Sequence, residues 1–439
     1  MLIMSMMRIL IKEDRMHDEV FRGRRLGLRS LVAAGALIAL AACSSGGTSG
    51  GTSGGGAAGS ATGDTSNLPA TIKVVSTNPT TGVVAFAGNG ANKGYDLAVK
   101  EINDQKFLGN STLQLEKSDT KSAAATAAQV ATTAIGDKSV AALFGSVSSN
   151  EAVAQSPLAQ KAGVPIIYTQ AGSDGVVIGD YTYRATPLMR EYYPIIKKFI
   201  QEKGYKSIGI IYTQATPTLQ NIGAQTLPDL AKELGMTVTG SIAVQASTQD
   251  YAAPISQILG GKPDAVAILL VGAQNPTAMK QLRQAGYTGD VLGNSGASAG
   301  NLKPAGADGA GMVWPADFNY QQTAPSSQKF VAAYKAANGG EDPLNYAAEA
   351  YDAAWFLAKS IKQAGSADRA KIKDAMAVVA QQKFDGALGS GLIWKDRDLH
   401  VPGAVVRWNG EKEDLLYEAS GVSTSTASST SSGSSTSGP

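Results

Sequence analysis

One cysteine, Cys43, and two histidines, His17 and His400, are all that a chain of 439 residues offers to thiol and imidazole chemistry. They cannot assemble a Cys/His zinc site, a disulfide or a Cys-His couple within one chain. His400 lies in a charged turn, Lys395-Asp-Arg-Asp-Leu-His400, where a solvated side chain is the ordinary reading. The glycine cluster Gly88-x-Gly90-x-x-x-Gly94 opens a helical pattern, yet its spacing misses the dinucleotide fingerprint by one residue, and the sequence has no Gly-Lys-Ser/Thr phosphate loop. What remains is hydroxyl and amide chemistry. Ser149 and Asn150 precede Glu151 where a helical pattern starts. A hydroxyl and free N–H groups there donate to an anion, or the same side chains cap the helix. Gln274 and Asn275 follow the apolar run 265–271, at the strand end where open α/β sheets bind ligands, or they belong to an ordinary polar loop. No nucleophile-base pair stands out, so the chain is expected to be no enzyme and to need neither cofactor nor metal.

Cys43 has a different use. Arg22, Arg24, Arg25 and Arg29 precede the apolar run 31–42, LVAAGALIALAA, and the cysteine comes next. This is the order of an export signal, and twelve apolar residues fall short of the ~20 that a spanning helix needs. Leu40-Ala41-Ala42-Cys43 resembles a bacterial lipobox, which predicts removal of residues 1–42 and lipidation of Cys43. Met16 offers an alternative start. The Gly/Ser/Thr-rich stretch 43–68 reads as a flexible tether and 421–439 as a disordered tail.

The body between them is suited to folding. Apolar residues make up 43% and charged residues 17% of the chain. Residues 1–42 hold seven basic and four acidic side chains, which leaves 31 basic against 32 acidic in the rest. A near-neutral body has no electrostatic footprint for a phosphate backbone, so nucleic acid is excluded as a partner. Short apolar runs at 71–76, 113–115, 140–144 and 164–168 alternate with helical patterns at 91–103, 122–135 and 151–162. A second series places strands at 207–212, 237–244, 265–271 and 290–292 between helices at 192–203, 219–234, 251–259 and 276–285. Such alternation predicts α/β architecture, two doubly wound parallel-sheet lobes with a central cleft. Neither unit alone has enough strands to account for the helices from Ser326 onward, so the chain is expected to return to the first near Asp317. The expected boundaries are 69–186 with 317–400 for the first lobe and 187–316 with 401–420 for the second. The hinge is expected near 184–187 and 314–318.

The order of motifs resembles the leucine/isoleucine/valine-binding protein family, the type I periplasmic binding fold of ABC importers. The matching residues are Thr81-Gly82, Gly88, Gly94-Tyr-Asp-Leu-Ala-Val-Lys-Glu-Ile-Asn103, Phe144-Gly145-Ser-Val-Ser-Ser149, Ala162-Gly-Val-Pro-Ile-Ile167, Tyr183-Arg184, Leu282-Arg-Gln-Ala285 and Tyr351-Asp352-Ala353. The resemblance implies an extracytoplasmic, lipid-anchored monomer that closes on a branched-chain amino acid or a related carboxylate or amide and presents it to a permease. A ligand-sensing receptor module of the same fold is the alternative. It further implies that Ser149 and the loop Ala171-Gly172-Ser173 grip a ligand carboxylate, and that Phe86 lies over the ligand or packs on the neighbouring helix. Branched-chain amino-acid binders place a glutamate where Gly293-Asn294-Ser295-Gly296 has Ser295. Ser295 lines the site but cannot neutralise an ammonium, so a zwitterionic ligand would need Asp317 or Glu349. The Tyr-Gly usual after strand 207–212 is also missing, replaced by Gln214-Ala-Thr-Pro-Thr218.

Overall fold

Alternating apolar residues commit each central strand to covering on both faces. In the computed structural model, which describes residues 63–298 and 300–419, Val74, Ala142, Phe144 and Ile167 enter one core cluster. Their neighbours Val75, Leu143 and Ile166 enter another, on the opposite face of the same sheet. The pattern repeats further along, where Ile208, Ile210, Ala265, Ala267 and Leu269 face one cluster while Ile211, Val266, Ile268 and Leu270 face the other. Period-two alternation with both faces apolar builds a three-layer helix-sheet-helix sandwich.

Among the described residues the strands form two such sheets. The first contains β1 (Thr71–Asn78), β2 (Thr112–Asp119), β3 (Val140–Phe144), β4 (Ile166–Tyr168) and β5 (Thr182–Arg184). The second contains β6 (Ser207–Thr213), β7 (Thr237–Val244), β8 (Ala265–Leu269), β9 (Asp290–Leu292) and β10 (Met312–Ala316). Five late strands complete them: β11 (Phe384–Gly386), β12 (Gly389–Lys395), β13 (Asp398–His400), β14 (Ala404–Trp408) and β15 (Glu413–Glu418). The orders are β11-β12-β13-β5-β4-β3-β1-β2 and β15-β14-β10-β9-β8-β6-β7. Strands β1 to β5 and β6 to β10 pair in parallel, whereas β12 and β14 run antiparallel to their neighbours. Each sheet is therefore mixed rather than purely parallel, because the returning chain adds hairpins at one edge.

The helices that matter for position are α1 (Ala85–Asp104), α2 (Ala124–Gly136) and α3 (Ser149–Ala162) in the first lobe. The second lobe holds α4 (Met189–Tyr192), α5 (Lys197–Lys203), α6 (Pro217–Asn221), α7 (Leu227–Glu233), α8 (Ala252–Gly260) and α9 (Gln274–Gln284). Then α10 (Pro325–Ala337), α11 (Asn345–Ala364) and α12 (Arg369–Val379) return to the first lobe, where Phe330, Tyr346, Phe356 and Ile372 join its core. The α1–α11 contact is close because α1 carries glycine: a Cβ on Gly94 would stand 2.1 Å from the Ala347 carbonyl oxygen.

Three local differences from the sequence reading have physical causes. Helix α1 starts at Ala85, six residues before the expected 91, since Gly88 and Gly90 serve close packing on Pro79 and Tyr346 rather than a loop. The expected helix 219–234 is broken by a π segment, Ile222–Thr226, just before Pro228, whose ring removes a backbone donor. The expected tether 43–68 also ends early, because Leu68 already packs on the first core and Asp64 accepts from Ser66 N and Oγ, both at 2.8 Å. The signal, Cys43 and the tail lie outside the described residues.

The chain passes between lobes three times, between β5 and α4, between β10 and α10, and between β13 and β14. The passages lie side by side. Thr186 Oγ1 on the first donates to Asp317 Oδ2 on the second at 2.7 Å, and Gly403 on the third adopts φ +78° against the Ala316 carbonyl. Arg184 and Asp398, which flank the first and third, form a buried ion pair at 2.6 Å.

Candidate functional site

The carboxyl ends of the parallel strands of both sheets point their loops at one another, the arrangement in which open α/β sheets take ligands. A cavity of about 70 Å³ lies between them. Its first-lobe wall is Val84 and Phe86 at the start of α1, Val147 to Ser149 after β3, Gln170 after β4, and Tyr346 on α11. Its second-lobe wall is Met189, Thr216, Thr218 and Leu219 around α6, Val271 after β8, and Asn294 to Gly296 after β9. None of the lining side chains carries a formal charge at neutral pH.

Of the residues nominated from sequence, Phe86, Ser149 and Ser295 line this cavity. Ser149 is the first residue of α3, and its Oγ lies 2.8 Å from Thr218 Oγ1 on the opposite lobe. Glu151 and Ala152 N–H both return to the Ser148 carbonyl. The N–H groups of Ser149 and Asn150 have no partner within the helix, as at any helix start. Asn150 does not cap the helix either; its Nδ2 donates across the cleft to the Ala215 carbonyl. Beneath this turn Glu151 is buried and accepts from Ser146 Oγ and Thr120 Oγ1, and burial raises its carboxyl above the usual range. Phe86 stands edge-on to Tyr346, ring centroids 5.7 Å apart. The Tyr346 hydroxyl crosses the cleft to donate to the Ser295 carbonyl at 2.9 Å.

The other nominated residues lie elsewhere. Gln274 and Asn275 open α9 instead of forming a loop, and neither is in the cavity wall. Gln274 Nε2 donates to the Gln245 and Ala246 carbonyls, while Asn275 Nδ2 donates to the Leu270 and Gly296 carbonyls and so braces the loops that do line it. The loop Ala171-Gly172-Ser173 is turned away: Arg184 Nη1 takes the Ala171 carbonyl at 2.8 Å and the Ser173 carbonyl at 3.1 Å. Gly172 and Ser173 instead line a separate depression with Asp174, Arg190 and Thr218. Asp317 and Glu349 are fully buried and neither reaches the cavity wall. Glu349 sits behind it, with Asn345 Nδ2 donating both to its Oε1 at 3.0 Å and to the lining residue Gln170.

Sequence reasoning passed over Gln170, Met189, Thr218, Asn294 and Tyr346. Gln170 is one residue before the nominated loop, at the strand end where a side chain still faces the cleft. Thr218 stood inside the Gln214 to Thr218 departure, and Asn294 beside Ser295. Tyr346 had no local signal, because its place depends on a helix that returns from the far end of the chain.

Comparisons with known proteins agree on the architecture. A family model of the periplasmic binding proteins matches residues 71–413. Leu/Ile/Val-binding protein homolog 7 of Brucella abortus (strain 2308) is 25% identical over 368 residues, covering 79% of this chain and 92% of the relative. The crystal structure of the leucine-binding protein LivK from Thermotoga maritima superposes with a TM-score of 0.73 at 25% identity, covering 79% of this chain and 98% of that one. LivJ from Streptococcus pneumoniae, crystallised with isoleucine, gives a TM-score of 0.72 at 25% identity over 79% and 99%.

Proposed function

Because the chain belongs to the periplasmic binding protein family, we propose that it is an extracytoplasmic solute-binding lipoprotein that encloses a small ligand between its lobes and presents it, as a monomer, to an ABC permease. The observation that carries the reading is the uncharged cavity bridged by groups of both lobes. Hydroxyls and amides of Ser149, Gln170, Thr218, Asn294 and Ser295 supply polar partners, and Phe86, Met189, Leu219, Val271 and Tyr346 supply apolar wall. A ligand carboxylate fits this set, since hydroxyls and the start of α3 stabilise an anion without a cation. An ammonium does not, because a desolvated charge left without a counter-charge costs several kcal/mol. The ligand class is therefore a small carboxylate or amide with an apolar body and no α-ammonium. The relatives that bind leucine or isoleucine mark branched-chain amino acids as the reading to beat.

A thermal-shift screen tests it. Small aliphatic and aromatic carboxylates or amides should stabilise the protein at least as well as leucine, isoleucine and valine, by about 2.7 kcal/mol at a hundred times Kd. Selective binding of leucine that survives Ser149→Ala overturns the ligand assignment. For the anchor, Cys43→Ser should release the protein from the membrane fraction, and continued acyl labelling of that variant would refute it. Deletion of the gene should abolish uptake of the stabilising compound; intact uptake with a lost cellular response would assign sensing instead.

A further inference from the structure

Two carboxyl groups, Asp317 on the second passage between lobes and Glu349 on α11, are completely buried and within hydrogen-bonding reach of each other. Each has one satisfied oxygen. Asp317 Oδ2 accepts from Thr186 Oγ1 at 2.7 Å, and Glu349 Oε1 accepts from Asn345 Nδ2 at 3.0 Å. Asp317 Oδ1 and Glu349 Oε2, equally buried, have no hydrogen-bond partner among the described residues. Two ionised carboxylates in this arrangement would leave two charged acceptors unpaired and out of reach of water, a cost that proteins avoid by neutralising one group.

The surroundings do not supply the missing charge. Arg184 on β5 acts on Glu349 at a distance, but its Nε and Nη2 hold Asp398 on β13 and its Nη1 holds the Ala171 and Ser173 carbonyls. Three phenols among the described residues also face the pair: Tyr192 on α4, Tyr346 on α11 and Tyr95 on α1. Burial above all raises each of them, so they stay neutral. Glu413 on β15 acts on Tyr346 and adds negative charge. Gln170 and Asn345 contribute only amide dipoles.

We propose that Asp317 and Glu349 form a proton-binding site, in which one proton taken from solvent is held between Asp317 Oδ1 and Glu349 Oε2 and fastens the passage between lobes to α11. The two orphaned acceptors become one donor and one acceptor, and a single negative charge is shared. The pair sits on the connection between lobes, and Asn345 links Glu349 to Gln170 in the cavity wall.

The direction of the effect follows from linkage. Burial first, then the negative charge of Asp317, holds the Glu349 carboxyl well above its ordinary value of 4.5. The native state keeps a proton that the unfolded chain has released, so this stabilisation is complete below that ordinary value and is lost as pH rises through the raised native one. Thermal melts of the full chain, without ligand, from about pH 5 to about pH 8 should show wild type losing stability relative to Glu349→Gln, which carries its donor permanently. Infrared difference spectra at about pH 6 should show a protonated-carboxyl stretch in wild type that is missing from Glu349→Gln. If that variant fails to fold, Asp317→Asn supplies the hydrogen from the other side and should flatten the same slope. Parallel melting curves with no protonated-carboxyl band overturn the proposal. So does a melting temperature that rises steeply with sodium or potassium chloride while the band is missing, which would mean two carboxylates held by a monovalent cation.

Discussion

The cavity and the passages beneath it are made of opposite materials. Its wall contains hydroxyls, amides and apolar side chains with no ionised group, and its polar atoms partly satisfy one another across the cleft, as Ser149 does with Thr218. Behind Gln170 the connection between lobes is lined by Asp317, Glu349, Arg184 and Asp398, all buried. The difference shows where each kind of interaction is useful. Hydroxyl pairs contribute about 1 kcal/mol net and exchange readily for a ligand. Buried ionised groups are destabilising when separated and so hold three chain segments in one arrangement.

The largest expected effect is at the connection. Arg184→Leu removes the guanidinium that donates to Asp398 and releases the 171–173 loop, and should cost about 3–5 kcal/mol in urea denaturation. A loss below about 1 kcal/mol would erase the contrast. The next concerns the rim, where Gly272 of the second lobe adopts φ +47° and a Cβ would come within 2.9 Å of the Val83 carbonyl of the first. Gly272→Ala should cost about 1–3 kcal/mol, mostly in the closed form, and small-angle scattering should show a larger radius of gyration than wild type. An unchanged radius would mean that this rim does not limit closure. Smallest is Thr218→Ala, which removes the partner of Ser149. It should lower stability by about 0.5–1.5 kcal/mol, and a fall as large as that of Arg184→Leu would show that the cavity wall is structural after all.

Much of the fold was legible because each element carried its own signal. Runs 140–144 and 290–292 coincide with β3 and β9, and the return to the first lobe was inferred from late helices that neither unit's strands could account for alone. The antiparallel edges were not legible. Strands β11 and β13 have only three residues each, and the turn between β12 and β13 places Asp396 and Arg397 at φ +51° and +69°, a conformation without a Gly or Asn marker. At the site, residues on strand ends and helix starts were visible by position. Which of them face the cavity was not, because Ala171 to Ser173 are turned away by Arg184, and Gln274 and Asn275 by carbonyls of loops some five to thirty residues distant. Such choices are made by tertiary partners, not by local pattern.

The order of synthesis gives the three passages one more meaning. Arg184 waits for Asp398, a partner 214 residues later, before its guanidinium is paired. Strand β10 likewise waits for β14 to cover its edge. Neither sheet can be finished until nearly the whole chain exists, so folding is dominated by non-local closure, which is slow. A chain stopped after α10 would expose the open edges of β5 and β10 together, and its rate of aggregation, rather than any loss of binding, would be the first sign of the missing return.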